Sequence, residues 1–258
     1  MNVHPSAIVH PSAQLGSKVT VGPFSLIGEH VELGEGTELM SHVVIDGHTR
    51  IGKGNRIYPF TTIGLAPQDL KYRGELTRVE IGDNNSIREC VTIHRGTAEG
   101  DGVTQVGSHN LLMAYVHIAH DCKVGNYVIM ANGASLAGHI EIQDHATVGP
   151  FCGIHQFTRI GAYSFLGGFS AVNVDILPYS KTTAPRPLGV YGANKLGLDR
   201  RGLSADDIKE LEAAFRLLTR SKLNTTQALE AIEAKGFQSP HVKALVDFIK
   251  TSERGVAK

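Results

Sequence analysis

The sequence predicts a mainly β protein: a parallel β-helix built from six-residue repeats, followed by a C-terminal α-helical domain. Three observations carry this reading. An aliphatic residue recurs at every sixth position from Val9 through Leu15, Val21 and Ile27 to Ile63, again over Ile81, Ile87 and Ile93, and again from Val106 to Val172. Two positions earlier in each hexad stands a small, β-branched or amide residue, as at Ala7, Ala13, Val19, Ser25, Ser164 and Ser170, and one position later glycine is the commonest choice. After Val172 the six-residue period gives way to a proline-rich passage and then to helical spacing.

A period of six with two inward positions matches neither the alternation of a plain strand nor the 3.6 spacing of a helix. It suits a short strand followed by a bend, repeated so that each strand stacks on the one a full coil below, about 4.8 Å away. The hexad glycines are read as bend residues with positive φ. Two stretches interrupt the period, LAPQDLKYRGELTR at 65–78 and RGTAEGDGVT at 95–104. Excursions of this length in a regular solenoid are expected to be functional. The solenoid is assigned to residues 1–190 and the helical domain to 191–258. In the latter, Ser204 and Asp207 resemble a capping box ahead of Ile208, Leu211, Phe215 and Leu218, a second helix runs from about Thr225 to a Gly236 stop, and a third starts at Ser239-Pro240. These helices are expected to cap the open end of the solenoid.

Composition narrows the function. Among 258 residues, 25 Lys and Arg balance 25 Asp and Glu, so no bulk field draws the chain to nucleic acid or an anionic membrane. Cys90, Cys122 and Cys152 form an odd set without CxxC spacing, which argues against a disulfide framework and a zinc knuckle. Cys122 and Cys152 fall on the inward small position and are read as packing residues. The N-terminus has no signal-peptide pattern and no stretch approaches a membrane span. The expectation is a cytoplasmic protein.

With three hexads to a coil, residues eighteen apart lie above one another. His120, Gly138 and Gln156 form one column, and Asp121, His139 and Phe157 the next, with His117 three residues before His120. A neutral imidazole can act as general base, a neighbouring carboxylate can fix its tautomer, and a glycine N–H one coil up can stabilise an oxyanion. Those are the parts of an acyl-transfer site. Two other readings stay open at this point: a metal-dependent hydratase with His94, His117 and His120 as ligands, and a non-catalytic scaffold with an incidental histidine cluster.

The strings VEIGDNNSIRECVTIHRGT, NLLMAYVHIAHDCKVGN, SLAGHIEI, GIHQFTRIGA, PQDLKY and LDRRGL resemble the UDP-N-acetylglucosamine 3-O-acyltransferase family of hexapeptide-repeat enzymes, over essentially the whole chain. The resemblance implies a left-handed coil, against the right-handed rule for ordinary crossovers. It implies transfer of a 3-hydroxyacyl chain from acyl carrier protein to the 3-hydroxyl of UDP-N-acetylglucosamine, the first step of lipid A biosynthesis, without cofactor or metal. His120 then corresponds to the general base, Asp121 to its partner and Gly138 to the oxyanion donor. Asp69, His117, His139 and Gln156 correspond to sugar and substrate contacts. Gln68 and Lys71 correspond to loop contacts reaching in from a neighbouring subunit, and His94 and His155 to further cleft histidines. Asn194, Arg200 and Arg201 correspond to the nucleotide end, where Leu196 replaces a residue that is usually acidic. Gly168 corresponds to an acyl-chain end stop, with Phe169 beside it as a residue whose ring could block the groove. A homotrimer is implied, with Arg88, His94 and His155 near the interface. Arg216, Arg220 and Lys222 are the expected patch for the acidic carrier protein.

Overall fold

The computed structural model describes residues 2–183 and 188–258. Short strands, most of two residues, stack into three parallel sheets that form the sides of a triangular prism, a left-handed parallel β-helix. Sheet A runs from Asn2–Val3 upward and ends in an antiparallel hairpin, Ser180–Thr183 with Gly189–Ala193; sheet B runs from Ile8–Val9 to Ala171–Val172; sheet C from Gln14–Leu15 to Arg159–Ile160. The register follows the repeat: His117 pairs with Ser135 and Ser135 with Gly153, eighteen residues per coil. The hexad aliphatics form the core; Ile27, Ile45, Ile57, Ile63, Ile118 and Leu136 are at most 1 % exposed.

The corners differ from the sequence expectation. Apart from Gly64, with φ of 81°, the glycines that follow the aliphatics are not the left-handed residues. Gly22 is glycine because a Cβ there would lie 2.6 Å from the Met40 carbonyl carbon of the coil above. Positive φ falls two residues further on, at Lys18, Phe24, His42, Tyr127, His145 and their equivalents. Each such non-glycine corner costs roughly 1–2 kcal/mol. Stacking offsets this: His109, Tyr127, His145 and Tyr163 form a ladder with centroids 4.6–4.8 Å apart, and aromatic pairs contribute about 0.5–1.5 kcal/mol each.

Four helices close the C-terminal end: α1 (Lys195–Arg200), α2 (Ala205–Thr219), α3 (Thr225–Ala234) and α4 (Pro240–Lys250). Ser204 caps α2 by accepting from the Asp207 N–H, Asn224 and Gln227 form a reciprocal capping box on α3, and Ser239 caps α4. The short helix α1 and the hairpin carry no periodicity that the sequence reading could use, and the hairpin sits across the boundary drawn at residue 190. No helix is long and apolar enough to cross a membrane among the described residues.

The helical end is locked to the last coil through Asp175, which is 1 % exposed. Its carboxylate accepts from the Arg159 N–H at 2.8 Å, from Arg159 Nε at 3.1 Å and from Ser252 Oγ at 2.8 Å. Arg159 also donates to the Phe248 carbonyl at 3.0 Å, and its guanidinium lies 4.2 Å from the Phe248 ring centroid. Asp175→Ala leaves this guanidinium without its counter-ion against apolar surface. We expect a loss of about 3 kcal/mol in denaturant unfolding, with the solenoid's β-type circular dichroism retained.

Candidate active site

His120 and Asp121 sit at the corner where sheet B turns into sheet C, and Asp121 is one of the left-handed corner residues. The imidazole Nδ1 lies 2.9 Å from Asp121 Oδ2. An ionised carboxylate only accepts, so this contact fixes the hydrogen of neutral His120 on Nδ1 and leaves Nε2 as the free basic nitrogen. Asp121 is 4 % exposed. Burial alone would raise its pKa, but hydrogen bonds from His120 and Thr97 outweigh burial and hold it below the ordinary aspartate value.

One coil up, Gly138 faces the ring. A Cβ on Gly138 would stand 2.5 Å from His120 Cε1 and 2.7 Å from Nε2, so the imidazole occupies the space a side chain would take. The Gly138 N–H takes no acceptor among the described residues. The free base nitrogen and a free backbone donor therefore lie side by side.

Two cavities meet at His120, Gln68 and Gln156. One, of about 1130 Å³, is lined by polar groups that include Asp69, Lys71, Thr97, Glu99 and His139. The other, of about 980 Å³, runs along sheet B past His117, Gly138 and His155 and is walled by Leu136, Ile154, Val172, Val174 and Leu188. A polar hollow and an apolar trough thus share one imidazole at their junction.

His139 stands at right angles to His120, centroids 5.1 Å apart, and stacks on Phe157 at 4.5 Å. His117 takes Thr92 Oγ1 on its Nδ1 at 2.7 Å, and burial, followed by the nearby His120, depresses its pKa. His94 borders neither cavity, in contrast to its expected place among the cleft residues. It is 5 % exposed, packs edge-on behind His117 at 5.1 Å, and has an Nδ1 with no partner among the described residues. Burial pushes its pKa down to about 4. Gln68 and Lys71 also differ from expectation: loop 66–77 folds back along its own solenoid, so both border the cavity of their own chain, and Lys71 Nζ pairs with Glu99 at 2.8 Å.

Asn194, Arg200 and Arg201 are gathered elsewhere, around a third cavity of about 1070 Å³ on the outer side of sheet A with His145, Tyr191 and Leu196. Arg201 Nη1 lies 2.5 Å from His145 Nδ1. Gly168 borders none of these cavities; a Cβ there would meet the Pro150 ring at 2.9 Å. The Phe169 ring points outward, 66 % exposed and stacked on Phe151. Arg216, Arg220 and Lys222 are exposed. Cys122 is buried, its thiol pushed up to about 12 by desolvation, which excludes it as a nucleophile near neutral pH.

Among the described residues, one group could offer three donor atoms to a cation: His120, Asp121 and His139, within 4.8 Å of one another. Both Asp121 oxygens already accept from Thr97, and Oδ2 also faces His120. A cation would have to displace these donors. Sequence reasoning missed Thr97; the one available signal was its place in the second interruption of the hexads.

The family profile described as UDP-N-acetylglucosamine O-acyltransferase, domain 2, matches residues 175–257, and that of the bacterial transferase hexapeptide matches 104–138. The chain is 49 % identical over 256 residues, 99 % of each chain, to an acyl-[acyl-carrier-protein]–UDP-N-acetylglucosamine O-acyltransferase from Thermodesulfovibrio yellowstonii. It belongs to the UDP-N-acetylglucosamine O-acyltransferase family. Solved structures of family members agree with its fold. LpxA from Acinetobacter baumannii superposes with a TM-score of 0.95 at 44 % identity, with all of both chains covered. The Arabidopsis UDP-N-acetylglucosamine acyltransferase gives 0.86 at 33 %, covering 99 % of this chain and 100 % of that one. The enzyme is an O-acyltransferase, and the junction of polar and apolar cavities at His120 is the place in its fold suited to that chemistry.

Gly138→Ala should drive the imidazole off its position. We expect kcat to fall by about a hundredfold or more, with an unchanged thermal midpoint, in a steady-state acyl-transfer assay paired with calorimetry. A second expectation concerns pH. His94 and His117 have folded-state pKa values below the unfolded value, so the unfolded chain binds more protons between about pH 4 and 6.5. Their contribution is present above that window and lost as pH falls through it. The melting temperature should drop from pH 7 to pH 4.5, and His94→Leu should make that drop smaller.

Proposed function

We propose that this enzyme transfers a 3-hydroxyacyl group from acyl carrier protein to the 3-hydroxyl of UDP-N-acetylglucosamine, the first step of lipid A biosynthesis, with His120 as general base and without metal or cofactor. The observation that carries this is the position of His120: Nδ1 held by Asp121, Nε2 beside the free Gly138 N–H, a polar cavity on one side and an apolar trough on the other. The relatives' names supply the substrates.

In this reading the sugar occupies the polar cavity against Asp69, Lys71, His139 and Gln156, with Gln68 at the junction. Nε2 of His120 takes the proton of the 3-hydroxyl as its oxygen attacks the thioester carbonyl. The oxyanion that forms meets the Gly138 N–H. When the C–S bond breaks, the imidazolium returns the proton to the departing thiolate of the carrier protein. The acyl chain lies in the apolar trough past His117 and His155. His94 acts by supporting His117 from behind. Gly168 borders neither cavity of the single chain, so its expected part as end stop belongs to a continuation of the trough at the subunit seam, by the turn between sheets A and B, where each buried methylene contributes about 0.8 kcal/mol. Arg216, Arg220 and Lys222 offer cations to the acidic carrier protein. Free Cys90, Cys122 and Cys152 suit the reducing cytoplasm.

The faces of the prism support a homotrimer. Outward residues of sheet C alternate in charge, as at Glu32, Arg50 and Glu80 or Lys123, Glu141 and Arg159. Sheet B turns out Ile8, Leu26 and Val44, with Ile8 67 % exposed, and the upper coils of sheet A turn out Leu111, Ile129 and Phe165. A ring in which sheet A of one chain covers sheet B of the next closes with threefold symmetry. It also carries Asn194, Arg200 and Arg201 to the neighbour's His120, which supplies the nucleotide-end contacts that the single chain keeps apart.

The test is subunit complementation. His120→Ala alone should lose nearly all activity, and so should the Arg200→Ala/Arg201→Ala double variant. Denatured together in equal amounts and refolded, they should regain activity, because about a quarter of all clefts then join an intact His120 to intact arginines. Persistent full activity of His120→Ala would refute the base assignment, and a mixture with no recovery would refute the composite cleft.

A further inference from the structure

The loop at 95–102 is an insertion. Thr92 pairs with His117, 25 residues on, whereas later coils pair at eighteen, so this coil holds 25 − 18 = 7 extra residues. They are folded onto Asp121. Thr97, 4 % exposed, donates its hydroxyl to Asp121 Oδ2 at 2.6 Å, and its N–H spans both oxygens at 3.2 and 3.1 Å. The Asp121 N–H in turn donates to buried Thr104 Oγ1 at 2.9 Å. The approach is close enough to demand glycine: a Cβ at Gly100 would lie 2.4–2.6 Å from three carboxylate atoms, and one at Gly96 would lie 2.9 Å from Oδ1.

We infer that Thr97 is a positioning residue, the outer member of a Thr97–Asp121–His120 relay that aims the carboxylate at Nδ1 and sets the basicity of Nε2. This rests on the reading of His120 as base. The physical argument is competition for one oxygen. Oδ2 receives the Thr97 hydroxyl and the His120 N–H together, so the charge that would stabilise an imidazolium is shared with the threonine. Without the hydroxyl, the carboxylate turns more of its charge on His120 and loses the contact that holds its plane. The other ionisable groups around the ring are His117 and His94 behind it, His139 above, His155 along the trough, and Asp69, Lys71, Glu99, Asp101, Lys123 and Glu141 around the polar cavity, with Arg159, Asp175, Glu253 and Arg254 at its far end. Thr97→Val changes none of them.

Thr97→Val should lower kcat about tenfold with the sugar nucleotide's KM unchanged, and should move the acid limb of the kcat/KM profile upward by about half a unit. Thr97→Ser, which restores the hydroxyl, should return both to wild type. In an Asp121→Asn background Thr97→Val should cost nothing further. An unmoved acid limb, a serine variant as poor as valine, or a full extra loss in the Asp121→Asn background would each overturn the relay. If valine prevents folding, Thr97→Ala reads the same loss of hydroxyl. The parent reading fails separately: His120→Ala with wild-type activity removes the base itself, whereas an inactive His120→Ala beside a Thr97→Val of wild-type profile removes only the relay.

Discussion

The eighteen-residue register governs everything else in the molecule. Because His117 pairs with Ser135 and Ser135 with Gly153 through backbone bonds, the side chains of neighbouring coils are fixed about 4.8 Å apart along the prism. The position of Gly138 over the His120 ring is a consequence of that spacing, as is the perpendicular contact of His139 with the same ring. A site built this way has little freedom to adjust. Its precision comes from a stack of sheets whose cores are almost fully buried, and the chemistry needs only that the right residues occupy the right rungs.

The same rigidity explains which parts of the structure were legible beforehand. The hexads, the columns His120–Gly138–Gln156 and Asp121–His139–Phe157, and three of the four helices all follow from periodicity or caps that a sequence displays directly. The paired strands Ser180–Thr183 and Gly189–Ala193 and helix α1 have neither period nor cap; Asn194 precedes α1 without making a side-chain capping bond. The corner glycines were misread for a different reason. Glycine after the aliphatic is in most coils steric, forced by the backbone of the next coil, with Gly64 the left-handed exception, while most left-handed corners are aromatic and polar residues, many of which stack. Nor could spacing show that loop 66–77 returns to its own chain or that His94 is buried, because both depend on how an excursion folds back and on what covers it.

A buried carboxylate in a solenoid poses a supply problem. Nearly every backbone donor near Asp121 is already committed to the ladders, as with His139 N to the His120 carbonyl and Lys123 N to the Ile140 carbonyl. An unpaired carboxylate at 4 % exposure is several kcal/mol unfavourable. Within the repeat His120 Nδ1 supplies one donor, and the remaining ones come from outside it, delivered by the seven-residue insertion through Thr97. The polar cavity draws on loop 66–77 for Gln68, Asp69 and Lys71 in the same way. The repeat supplies position, and its interruptions supply polar chemistry.

The two insertions are held by contacts of unequal strength. Thr97 meets Asp121 through buried, charge-assisted hydrogen bonds, which fall among the strong ones. Loop 66–77 meets loop 95–102 through Arg95, which donates to the Tyr72 hydroxyl at 2.8 Å, and through Lys71 and Glu99, side chains 69 % and 64 % exposed, a pair so open to water that it contributes about 1 kcal/mol at most. Leu70, next to Lys71, is 95 % exposed and held by nothing apolar. The carboxylate beside the imidazole is thus clamped from within by buried donors, while the outer loop is held by a half-buried contact at Tyr72 and an exposed ion pair at Lys71. Loss of the Lys71–Glu99 pair therefore leaves both the Arg95–Tyr72 contact and the Thr97–Asp121 bonds in place, so the setting of the carboxylate does not depend on the exposed pair.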